Sequence, residues 1–85
     1  MAVTTEVITV SDEAVALNTS SVAGQTLVIK NTSGNACDLG GADVVATGGF
    51  ALAGGASVTL TLKPGDVVYA IRTGGSDATV NVFRT

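Results

Sequence analysis

The chain has 85 residues, 46% of them hydrophobic and only 13% charged, with a net charge of -3 and a sequence pI near 4.3. A single domain of this size buries only about two-thirds of its unfolded surface. Cys37 is the only cysteine and there is no histidine, so neither an intrachain disulfide nor a zinc, copper or iron site can reinforce it.

Taken in chain order, residues 3–10 are dense in β-branched side chains, which suit a pleated sheet, and form the first strand. Ser11, Asp12 and Glu13 interrupt it; residues 14–17 are too few for a stable helix and read as a second strand. Gln25–Asn31 alternates, with Leu27 and Ile29 on one face and Val28 and Lys30 on the other. The turn residues 31–35 then predict a hairpin returning through residues 36–39, with Cys37 and Leu39 sharing a face.

Residues 40–55 hold six glycines between two short apolar pieces, Val44-Val45 and Phe50-Ala-Leu-Ala. No Gly-Lys-Ser/Thr ending follows, nor a helix to present its N-terminus to a phosphate, so these glycines serve turns and close strand crossings. Ser57–Leu62 alternates cleanly, with Val58, Leu60 and Leu62 inward. Lys63-Pro-Gly-Asp66 is a type II turn signature, leading to a paired strand over 67–72; residues 73–77 turn again into a last strand over 78–83.

Seven or eight short strands and no helix make the chain all-β, a small antiparallel β-sandwich or barrel of jelly-roll-like form. The expected core is Leu27, Ile29, Leu39, Leu52, Val58, Leu60, Leu62, Tyr69, Ile71, Val80 and Val82. Residues 1–10 are either an arm or the first strand of the sandwich, and residues 11–85 are one domain.

No catalytic, cofactor-binding or metal site is expected. The carboxylates Glu6, Asp12, Glu13, Asp38, Asp43, Asp66 and Asp77 fall mostly in or beside turns, where aspartate bonds its own backbone. Cys37 lacks a histidine base and reads as a buried structural thiol. Asp38 and Asp43 could offer oxygen to calcium, but no acidic loop of fixed spacing surrounds them. Pro64-Gly65-Asp66 sits in a turn of the kind cupins use, without the histidines on which cupin metal sites rest.

The partner classes narrow in the same way. Lys30, Lys63, Arg72 and Arg84 are scattered, and Phe50, Tyr69 and Phe83 are the only rings, which excludes nucleic acid. No stretch reaches the roughly 20 apolar residues of a membrane helix. Met1 to Glu6 lacks the basic start of a secretory leader, and an unpaired cysteine suits a reducing compartment. Synthesis in a bacterial-type cytoplasm, with the mature chain beginning here, is the expectation. The low charge has two readings: apolar surface covered by another chain, or a composition of Ala, Val, Gly and Thr that only scores as hydrophobic.

Four segments, Thr26-Leu-Val-Ile-Lys-Asn-Thr-Ser, Asp38-Leu-Gly-Gly-Ala-Asp-Val, Gly49-Phe-Ala-Leu-Ala-Gly-Gly-Ala-Ser-Val and Gly65-Asp-Val-Val-Tyr-Ala-Ile, together resemble the small head decoration and minor structural proteins of tailed bacteriophages. The likeness runs over residues 25–83 and rests on strand and turn patterns. The resemblance implies a β-domain on the outer surface of the virion head, bound to the major capsid protein and to copies of itself, most often as a trimer. It implies no reaction, cofactor or small-molecule substrate.

The segment 2–10 fits attachment: it is β-prone, almost uncharged and without proline, able to add a strand to a partner's sheet edge or to serve as an ordinary first strand. Its residues Ala2, Val3, Thr4, Thr5, Glu6 and Val7 are the expected capsid or subunit contacts. The alternatives are a receptor- or carbohydrate-binding module of a tail or cell-surface assembly using loops 31–35 and 73–77, and a small hydrolase or lyase built on carboxylates. The first lacks the tryptophans a sugar platform wants, and the second lacks any defined acidic pair.

Overall fold

The computed structural model describes residues 3–19 and 22–85. Eight strands are found among them: β1 (Thr4–Val10), β2 (Val15–Ala16), β3 (Gln25–Asn31), β4 (Cys37–Gly40), β5 (Phe50–Leu52), β6 (Ser57–Leu62), β7 (Tyr69–Arg72) and β8 (Ala78–Arg84). They form two four-stranded antiparallel sheets, in the orders β1-β8-β3-β6 and β2-β7-β4-β5. The pairs β1·β8, β2·β7, β3·β6 and β4·β5 are nested, as if one long antiparallel ribbon were bent at the β4–β5 connection and rolled on itself. That is the jelly-roll order, so the all-β sandwich expectation holds.

Two expected hairpins are absent. β3 pairs with β6 and β8, whereas β4 pairs with β5 and β7, so residues 31–36 cross from one sheet to the other. Likewise β6 and β7 lie in different sheets. The type II turn between them does form: Gly65 has φ 87° and Asp66 N–H donates to the Lys63 carbonyl at 3.1 Å. A turn sequence specifies a bend, not whether the chain returns beside its own strand. In the apolar piece at 44–45, Val44 and Val45 belong to no strand.

Side-chain amides hold the crossings that hairpin ladders would otherwise hold. Asn31 ends β3 on the inward face and is fully buried. Its Nδ2 donates to the carbonyls of Asn35 (2.6 Å) and Leu52 (3.2 Å), and its Oδ1 accepts from Ser33 N–H (3.0 Å) and Ser33 Oγ (2.8 Å). Asn18 works similarly after β2. It donates to the Asp66 carbonyl at 3.0 Å and accepts from Val68 N–H at 2.8 Å, tying the β2–β3 connection to the β6–β7 one. Gly24, at φ 76°, allows a close approach here, since a Cβ would stand 2.6 Å from the Leu62 carbonyl oxygen.

The core fills the gap between the sheets. Ile8, Val10, Leu27, Ile29, Ala78, Val80 and Val82 come from the first sheet; Leu17, Cys37, Leu39, Leu52 and Ala70 come from the second and its flank. Val58, Leu60 and Leu62 pack against this cluster but stay half-buried, because β6 is an edge strand. The expectation that Tyr69 and Ile71 lie in the core is wrong by one residue. Ala70 pairs with both Leu39 and Val15 and is the buried residue, leaving Tyr69 and Ile71 half-exposed on the opposite face.

Candidate attachment surface

The expected contact residues lie on or beside an edge strand. β1 pairs along its length with β8, from Thr4 opposite Arg84 to Val10 opposite Ala78, and has no other strand neighbour among the described residues. Its free edge carries no proline and one charge, Glu6, so it lacks most of the features that block edge pairing. Val3, Thr4, Thr5, Glu6 and Val7 are all exposed. Ala2 lies outside the described residues.

Alternation divides the first sheet into two faces. Because Ile8, Val80, Val82, Leu27 and Ile29 point into the core, Val7, Phe83 and Val28 must point out. The register brings Thr5 opposite Phe83 and Phe83 opposite Val28, so the three adjacent strands β1, β8 and β3 contribute to one continuous patch. Val7 is 67% exposed and Phe83 41%, too open for residues whose burial stabilises this chain alone. The patch forms a shallow hollow of about 480 Å³ lined by Thr5, Glu6, Val7, Val28, Lys30, Asn81, Val82 and Phe83.

Sequence reasoning named Thr5, Glu6 and Val7 in this hollow and missed Val28, Lys30, Asn81 and Phe83. The signal for Phe83 was present: once Val80 and Val82 are inward, the next residue is outward.

The charged groups near the hollow are unequal. Glu6 Oε1 accepts from Arg84 Nη2 at 2.7 Å, and Arg84 also donates to the Leu17 carbonyl through Nε (3.0 Å) and Nη2 (2.8 Å). This arrangement clamps the open end of the sandwich. Lys30 is the only charged residue among the outward positions of the first sheet's four strands.

The remaining polar groups are occupied structurally. Asp38 leaves β4 on the face opposite Cys37 and Leu39, yet it is buried. Its Oδ2 accepts from Gly49 N–H at 2.9 Å, and its Oδ1 accepts a short hydrogen bond from the Thr73 hydroxyl, so it fastens two loops to the second sheet. Asp38 is a strand residue, as expected for 36–39, and its carboxylate bonds to two distant loops rather than to its own turn. The aspartate-in-turn expectation applies to Asp66, whose Oδ2 accepts from Lys63 N–H at 3.1 Å. Asp77 pairs with Arg72 at 2.7 Å.

Cys37 is fully buried, and burial, with a smaller effect from the neighbouring Asp38 charge, pushes its thiol above the ordinary 9.0. It is a neutral packing group rather than a thiolate nucleophile at neutral pH. No three acidic or thiol groups come together among the described residues. Loops 31–35 and 73–77 meet, with Asn35 Nδ2 donating to the Asp77 carbonyl at 3.0 Å.

The second sheet also has an exposed apolar segment. Between β4 and β5, Val44 tucks against Gly40 and Gly49, where Cβ atoms would stand 2.9 and 2.8 Å from its Cγ2. Val45 and Phe50 are left 62% exposed. Thr47 in the same loop has φ 64°, costly for a β-branched residue. No protein-family model matches the chain, and no curated protein matches it.

Proposed function

We propose that this chain is a structural virion protein, a decoration subunit that binds the assembled head of a tailed phage and stabilises the shell. It is made in the host bacterial cytoplasm and contacts the major capsid protein and copies of itself, most simply as a trimer. It carries out no reaction and needs no cofactor.

One observation carries this reading: the outer face of the β1-β8-β3-β6 sheet is apolar at Val7, Val28 and Phe83, and Lys30 is the one charge at its outward strand positions. A face of that kind is stable in water when another protein covers it. The jelly roll is a recurrent architecture of viral coats, which is support by analogy of fold. The carbohydrate-binding alternative is weaker, because in the loops it would use the amide of Asn35 is spent on the Asp77 carbonyl and the carboxylate of Asp77 on Arg72.

The test is sedimentation of purified protein with phage heads that lack it. Binding at fixed stoichiometry, and greater resistance of the decorated heads to heat, is the expected result. A protein that stays in the supernatant at every concentration is not a decoration subunit.

A further inference from the structure

The apolar hollow and the exposed apolar loop lie on different sheets of one molecule; the hollow is lined by Lys30 and by Glu6, whose carboxylate is spent on Arg84, while the loop bears Asp43. Over residues 40–56 the only ionisable side chain is Asp43, which is exposed, as are Val45 and Phe50. Across the outward positions of the first sheet the only one is Lys30. The nine charged side chains outside the hollow, three basic and six acidic, sum to -3, so Lys30, which has no ion pair among the described residues, is the hollow's unbalanced charge on an otherwise acidic protein.

From this we infer that the hollow seats the β4–β5 loop of a second copy of the chain. Phe50 and Val45 of one subunit enter between Val7, Val28 and Phe83 of the next, and Asp43 approaches Lys30. A hollow of about 480 Å³ has room for an aromatic and an aliphatic side chain together. Offset ring contact with Phe83 adds to the burial.

The contact joins two different surfaces, so it is head-to-tail: each subunit offers one loop and one hollow, and the assembly closes into a ring or continues as a filament. A closed ring suits the decoration role. The inference rests on the proposed function only in expecting self-association, and it can fail independently of it.

The experiment compares the native chain, K30E, D43K and the K30E/D43K double variant by sedimentation equilibrium, with thermal melting as a check that each is folded. Both positions are exposed, so all four should fold. The native chain should form a discrete oligomer. Either single reversal sets like charges together and should weaken self-association at least tenfold, whereas the double variant restores opposite charges and should recover it.

An oligomer insensitive to both single reversals overturns the inference. So does a monomer that still binds heads and loses that binding in K30E, since the hollow then receives a shell subunit rather than a second copy. A native chain that forms the oligomer and responds to the reversals but ignores heads sustains this contact and defeats the decoration role alone.

Discussion

The two sheets of this sandwich are specified in different ways. In β1-β8-β3-β6 the strands run six or seven residues, alternate apolar and polar side chains, and pair along most of their lengths. In β2-β7-β4-β5 they run two to four residues, too short for periodicity to fix their phase. The second sheet is held instead by individual polar side chains, Asn18, Asn31 and Asp38, each buried and each bonded to backbone donors or carbonyls of distant segments. One half of the molecule is thus set by pattern and burial, the other by a few directed hydrogen bonds.

The comparison can be broken from either side. Truncating a core side chain of the first sheet should have the largest effect: Leu27→Ala removes a fully buried leucine and is expected to cost about 3–4 kcal/mol. That is a large share of the total for a chain this short, on the order of 4–13 kcal/mol. Urea denaturation would measure it, and a loss under 1 kcal/mol would show that the long-stranded sheet is not where burial stabilises the fold.

Asn31→Ala should follow at about 2–3 kcal/mol, because it strands the Ser33 N–H and the Asn35 and Leu52 carbonyls at a buried crossing. Its cost should exceed that of removing an exposed polar side chain such as Thr59, by the same measurement. Equal costs would mean that the crossings are held by something other than their amides.

The smallest expected effect sharpens the account of Cys37, in the second sheet. Its thiol is raised above 9.0 by burial and by Asp38, so the folded chain holds the proton more tightly than the unfolded one. Stability from this source is intact below pH 9 and falls as pH rises above it. Relative to Cys37→Ala, the native chain should therefore lose stability between neutral pH and the alkaline range. A difference between the two that does not change with pH would contradict that sign.

The same division explains what could be read from the sequence. Gln25–Asn31 and Ser57–Leu62 were legible to the residue, because alternation and β-branching agree over six or more positions. β7 was misphased, since Tyr69 and Ile71 looked like core beside a small Ala70, and only the pairing with Leu39 and Val15 reveals that Ala70 is the inward residue. The crossings at 31–36 and 63–68 looked like hairpins because turn chemistry is local, whereas the choice of sheet is decided by strands dozens of residues away.

The candidate attachment surface was half legible for a related reason. Thr5, Glu6 and Val7 stand out as a β-prone, low-charge segment, but Val28, Lys30 and Phe83 join them only through the registers of β1, β8 and β3. Likewise the signal for Asp38 was misleading. Nothing in Cys-Asp-Leu-Gly announces a carboxylate that will be covered by Gly49 and Thr73, which follow it by 11 and 35 residues along the chain.

The pairing of Thr4 with Arg84 has a consequence for how the chain could be re-cut. Neighbours across an antiparallel pair stand about 5 Å apart, so a linker of a few residues could join the two ends. New ends could open at the exposed Gly74-Gly75 turn, where added Cβ atoms would meet nothing within 4 Å. In such a circular permutant β8 and β1 become a hairpin instead of the most distant pair in the chain, lowering the contact order. The same sandwich should then fold faster, with its rate-limiting loop closure made local.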